Sequence, residues 1–151
     1  KIKLQTTGSQ TRGYLYCDNA NNFGLLDYAG NWILKAPSGT RNVELPAGDF
    51  TASGNITAYS DITLKDNIET IPDALDKVSQ IRGVTFDRND LEDAPRQTGV
   101  IAQEVEKVLP EVVSENEDGL KTVAYGNIVG LLIESIKELK IEIEALKMER
   151  N

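Results

Sequence analysis

The chain has 151 residues, 40% hydrophobic and 6% aromatic, with 16 basic and 24 acidic side chains, one cysteine and no histidine, for a net charge of −8. That length allows one compact domain or two small pieces, and a single Cys17 excludes an internal disulfide framework. Without histidine, catalysis would have to use Ser, Lys, Asp, Glu or Tyr; without about 18 consecutive apolar residues, no membrane insertion is expected.

The charge is divided unevenly. Residues 1–60 hold 5 of the 16 basic and 4 of the 24 acidic side chains, leaving 11 and 20 for residues 61–151. An acidic second half argues against nucleic acid as a partner, which needs a basic footprint. The N-terminus shows no basic-then-apolar leader, and a lone thiol such as Cys17 is expected to be a small buried residue.

Residues 1–59 are punctuated by Gly8, Gly13, Asn21-Asn22, Gly30-Asn31, Pro37-Ser38-Gly39, Pro46-Ala47-Gly48 and Gly54-Asn55. The short pieces between them ("YLYC", "FGLLD", "NWILKA", "NVELP", "DFTA", "NITAY") read as strands. "FGLLDYAGNWILKA" predicts a hairpin turning at Ala29-Gly30-Asn31, and "GDFTASGNITA" another turning at Ser53-Gly54-Asn55. About sixty residues of this kind bury little surface alone, so the expectation is a stalk of chains wound with copies of themselves. Trp32 with Tyr14, Tyr16 and Tyr28 suits either buried stalk aromatics or a carbohydrate platform.

Residues 61–151 follow α+β grammar. Thr70 as a cap, Pro72 in the first turn and Asp73 at the positive end predict a helix carrying Ile71, Leu75, Val78 and Ile81, stopped by Gly83. "VTFDR" (84–88) alternates like a strand, and 89–97 is a polar loop. "IAQEVEKVL" (101–109) predicts a second helix ended by Pro110, and 111–125 a hairpin about Asp118-Gly119. From Asn127 onward Val129, Leu132, Ile136, Leu139, Ile143 and Leu146 step by three and four, predicting a helix of about six turns. Its first part, to about Ile136, fits a helix lying on its own domain, and the rest a self-associating coiled coil. Asp73, Asp76 and Asp87 lack the spacing of an oxygen-ligand loop, so no metal and no cofactor is expected.

"SDITLK" (60–65), "IPDALDKVSQIRGVTFD" (71–87), "TGVIAQEVEKVLPEVV" (98–113) and "TVAYGNIVGLLIESIKEL" (122–139) occur in this order at tight spacing. Together they resemble the peptidase S74 family, the C-terminal intramolecular chaperone domains of phage endosialidases, tail spikes and tail fibres. The resemblance implies that residues 1–60 are the end of an intertwined, triple β-helix-like trimeric stalk. Residues 61–151 would be a small α+β chaperone domain that trimerises and folds the stalk, its client, and is then released by autoproteolysis. It further implies Ser60 as nucleophile, Lys65 as general base, a cut between Ser60 and Asp61, and one turnover per chain. The place would be the phage virion after synthesis in the bacterial host cytoplasm, with a host surface receptor reached through the stalk. Gln103 and Glu104 are candidate supporting residues, Glu104 as a carboxylate orienting Lys65.

The chemistry is coherent on one condition. A serine hydroxyl needs a base to take its proton, and a lysine serves only as the neutral amine, which desolvation favours. Ile62, Leu64 and Ile68 are the residues expected to make Lys65 an apolar pocket. Five residues on a continuous helix or strand would hold Ser60 and Lys65 apart, so a turn between them or a contact between neighbouring copies is required. The bland alternative for "SDITLK" is a capped helix start or a turn, since Ser and Asp are capping residues. At the level of function, the alternative is a non-cleaving receptor-binding fibre tip.

Overall fold

The structure, a computed structural model, describes residues 2–46, 48–91, 93–116 and 118–150. The chain is α+β and divides into two compact units, residues 1–60 and 61–151.

In the first unit β1 (Ile2–Gln5), β2 (Thr11–Cys17), β3 (Phe23–Asp27) and β4 (Trp32–Ala36) form an antiparallel meander in chain order. One device closes all three turns. The N–H groups of Thr6, Asp18 and Asp27 donate to the carbonyls of Gln10, Asn22 and Asn31 at 2.9–3.0 Å. The fourth residue of each turn is left-handed: Ser9 (φ 63°), Asn21 (φ 63°) and Gly30 (φ 100°). This is the three-residue hairpin loop whose last position needs positive φ. Asp18 Oδ1 accepts from the Ala20 and Asn22 N–H groups, and Asp27 Oδ1 from those of Gly30 and Asn31. The amides of Asn22 and Asn31 add the largest contribution, holding both carboxyls below the usual range.

The turn at Ala29-Gly30-Asn31 therefore forms as its sequence indicates. The hairpin expected at Ser53-Gly54-Asn55 does not: residues 51–60 contain no strand, and "NVELP" contributes a single bridge, Glu44 to Lys35. Turn chemistry specifies a reversal, but flanks this short and exposed bury nothing that would hold a ladder. Of the turn expected at Pro46-Ala47-Gly48, Ala47 lies outside the described residues. The strands β1–β4 pair with one another within one chain. Cys17, expected to be buried, is exposed at the end of β2.

The second unit opens with one 3-10 turn, Ile62–Leu64, then α1 (Ala74–Ser79) and the hairpin β5 (Val84–Phe86) with β6 (Gln97–Gly99). It continues through α2 (Ala102–Val108), the hairpin β7 (Val113–Glu115) with β8 (Lys121–Val123), and α3 (Ile128–Glu149). Gly119 takes φ 78° in the β7–β8 turn, where Asn116 Oδ1 accepts from the Asp118 and Leu120 N–H groups. Ala74, Val105, Leu109, Val112 and Leu131 form the core, ringed by Ile71, Val78, Ile81, Val100, Val123 and Ile128.

Two expectations change here. The first helix is shorter than its periodicity indicated, and Asp73, at its N-cap in a left-handed conformation (φ 52°), makes no side-chain cap. The cap comes from α3, where Glu138 accepts from the Ala74 and Leu75 N–H groups at 2.9 and 2.7 Å. Ser135 Oγ lies 2.8 Å from the carbonyl oxygens of both Ala74 and Leu131, tying the same contact. Second, α3 docks through Ile128, Leu131, Ser135 and Glu138, not through the predicted heptad row. That row, Val129, Leu132, Ile136, Leu139, Ile143 and Leu146, is exposed from the first turn of the helix.

Candidate functional site

Residues 60–65 are the centre of interest, and Asp61 organises them. Its Oδ1 accepts from the Thr63 N–H at 2.8 Å and the Thr63 hydroxyl at 2.7 Å, capping the Ile62–Leu64 turn. The Leu64 N–H donates to the Asp61 carbonyl at 3.2 Å and the Lys65 N–H to that of Ile62 at 3.1 Å. An aspartate is a strong cap because its oxygen satisfies amides that the first turn leaves without partners. The Thr63 hydroxyl, then the Thr63 amide, hold the Asp61 carboxyl below the usual range.

Asp61 and the Ile62–Leu64 turn it caps thus lie between Ser60 and Lys65 in the chain. Ser60 is the last residue of the first unit, Lys65 closes the 3-10 turn of the second, and both are exposed. The apolar surroundings expected for Lys65 are not assembled within one chain. Ile62, Leu64 and Ile68 are 72%, 68% and 63% exposed. Asp61 is spent on the turn it caps.

Gln103 and Glu104 lie in the first turn of α2 and point to different tasks. Gln103 is exposed at the rim of a groove of about 670 Å³ walled by Val84, Phe86, Val100, Ala102, Val123 and Tyr125. Glu104 receives Arg82: Nε donates to Oε1 at 2.9 Å and the Arg82 backbone N–H to Oε2 at 3.2 Å. That guanidinium is the main reason its carboxyl sits below the usual range. Asp87, considered for metal binding, pairs with Arg96 at 2.7 Å.

A further relation was not legible from residue types. Tyr125 Oη accepts from the Val100 N–H at 3.3 Å, and a Cβ placed on Gly99 would meet that oxygen at 2.5 Å. The glycine of "TGVIAQEV" is therefore the residue that lets the tyrosine of "TVAYGN" lie on the backbone between β6 and α2. The only signal in the sequence is a glycine ending a strand, which marks a close approach without naming what approaches.

Residues 60–114 match the Peptidase_S74 family, described as chaperone of endosialidase. The long tail fiber protein Gp37 of Enterobacteria phage K3 is 34% identical over 140 residues, covering 84% of this chain and 11% of that protein. The protein of the same name in Enterobacteria phage T2 is 33% identical over 139 residues, covering 84% and 10%. That of Enterobacteria phage M1 is 36% identical over 113 residues, covering 66% and 45%. The chain spans about a tenth of the length of the first two relatives.

Proposed function

Residues 60–114 of this chain belong to the Peptidase_S74 family, and from that premise we propose that the chain is the C-terminal end of a phage tail fibre that assembles as a homotrimer and cuts itself once. Residues 61–151 hold three chains together while residues 1–60 form the stalk. The exposed row of α3, with Ile or Val alternating with Leu, supplies the coiled-coil contact. The observation that carries this reading is the position of the boundary. The chain divides into its two units between Ser60 and Asp61, at the start of the family match, and Asp61 begins the second unit as a turn cap.

In the reaction, the neutral Lys65 amine takes the proton of Ser60 Oγ as the oxygen attacks a carbonyl carbon. A serine attacking its own carbonyl would close a four-membered ring. Cutting after Ser60 therefore uses the hydroxyl of a neighbouring copy. The new O–C bond forms, the C–N bond to Asp61 breaks, and the proton passes from Lys65 to the departing Asp61 amine. Water then hydrolyses the ester and restores the hydroxyl. Packing Ile62, Leu64 and Ile68 against the neighbour removes water from Lys65, so the chemistry waits for assembly.

Release has a physical rationale. An attached folding domain keeps the unfolding route open, whereas its removal leaves the stalk stable by its unfolding barrier. A denaturing gel tests the reading: wild-type chains resolve into two bands of unequal size and Ser60→Ala runs as one. A wild type that stays whole after prolonged incubation contradicts self-cleavage.

A further inference from the structure

The Ile62–Leu64 turn stands in the chain between the bond proposed to break and the lysine proposed to serve it, and none of its three residues is buried. The backbone hydrogen bonds across it are long: 3.2 Å from the Leu64 N–H to the Asp61 carbonyl and 3.1 Å from the Lys65 N–H to that of Ile62. Turns of this type have poorer hydrogen-bond geometry than an α-helix. The shorter bonds come from Thr63, whose N–H and hydroxyl donate to Asp61 Oδ1 at 2.8 and 2.7 Å. Any residue but proline supplies the N–H, so only the hydroxyl depends on which side chain stands at 63. A hydroxyl donating to an ionised carboxylate is also the stronger kind of hydrogen bond.

The turn sets how far Lys65 stands from the Asp61 nitrogen. Its three residues advance about 2 Å each, against about 3.3 Å each in an extended chain. Opening the turn therefore carries the Lys65 backbone about 4 Å further from that nitrogen. Proton transfer needs the amine within about 3 Å of the atom it serves. The flexible lysine stem can follow only by giving up further rotamer freedom.

We infer that Thr63 is a positioning residue for the cut: its hydroxyl, acting through the Asp61 carboxylate, keeps Lys65 near the amide nitrogen that leaves. The inference rests on the self-cleavage reading above and adds a side chain which that reading does not use.

Two substitutions isolate the hydroxyl. Thr63→Val removes it and keeps the branched shape, whereas Thr63→Ser keeps it. The full-length wild type and both variants are pulse-labelled in cell-free synthesis, and the first-order loss of full-length chain is followed on a denaturing gel. Melting midpoints and assembled mass by light scattering are compared in chains that also carry Ser60→Ala. The expected result is cutting about tenfold slower in Thr63→Val and within about threefold of wild type in Thr63→Ser, with equal midpoints and equal mass. Thr63→Val cutting as fast as the wild type overturns the positioning role and leaves self-cleavage standing. Two equally slow variants, or a lower midpoint or smaller mass for Thr63→Val, overturn it as well, because shape or folding is then what the residue serves. A wild type that stays whole overturns both readings.

Discussion

Glu138, on the last helix, accepts from the Ala74 and Leu75 N–H groups, 64 and 63 residues earlier in the chain, and so caps α1. The position that ordinarily caps, Asp73, is left-handed and makes no such bond. Helix-start amides favour a carboxylate through both hydrogen bonding and the helix dipole. Docking of α3 and formation of the short α1 are therefore one event. Glu138→Ala is expected to lower the unfolding midpoint of the second unit by several degrees, with Glu138→Gln, which keeps an acceptor, losing less. Exposed Glu142→Ala is the control. Ser135→Ala, which removes a buried hydroxyl at the same contact, costs about 1 kcal/mol. Calorimetry on the uncut Ser60→Ala chain checks all four.

The same carboxylate sets a pH dependence. The Leu75 amide, then that of Ala74, hold Glu138 below its ordinary value of 4.5, and Arg82 does the same for Glu104. Because the folded values lie below the unfolded ones, the unfolded chain binds protons first as pH falls. The stability these groups contribute is fully present above pH 4.5 and is lost as pH falls through their lowered folded values. Thermal midpoints are expected to be flat from neutrality to about pH 5 and to drop below that. Glu138→Gln shallows the drop, which a pH series of melts reads directly.

Gly99 and Tyr125 are expected to be coupled. Gly99→Ala pushes aside the tyrosine hydroxyl, which Tyr125→Phe removes; each costs about 1 kcal/mol. Both changes lose the same hydrogen bond to the Val100 N–H. The double variant should therefore cost no more than about the larger single one. Additive losses in a denaturant-unfolding cycle would show that the two sites act separately.

The stalk turns make opposite predictions at equivalent positions. Ser9 and Gly30 occupy the same left-handed place in two hairpins, at φ 63° and 100°. Ser9→Gly relieves the steric cost of that conformation and should stabilise by about 0.5–1 kcal/mol, whereas Gly30→Ala should cost about 1–2 kcal/mol. Unfolding of the assembled protein followed by Trp32 fluorescence separates the two signs.

What could be read from the sequence divides by range. The turns at Gly30-Asn31 and Asp118-Gly119, the second helix and the length of the last helix follow from neighbours within a few residues, where conformational preference and periodicity act. The helix predicted from Thr70 to Gly83 narrows to Ala74–Ser79 because its cap is Glu138, and no local pattern announces a partner 64 residues away. The hairpin predicted at Ser53-Gly54-Asn55 had turn residues without a face to bury. The row of α3 that looked partly domain-facing is exposed because a neighbouring row, marked by buried Leu131 and Ser135, does the docking. At the candidate site the turn at 62–64 was legible from Asp61. The partner of Glu104 was not, since Arg82 and Lys65 are equally cationic on paper.

Self-cleavage at the junction of the two units is the central claim, and intact mass of freshly purified protein measures it most directly. The account predicts two masses, those of residues 1–60 and 61–151, from the wild type, and a single full-length mass from Ser60→Ala and from Lys65→Met. A full-length wild type, or a Ser60→Ala chain that splits at the same bond, contradicts it.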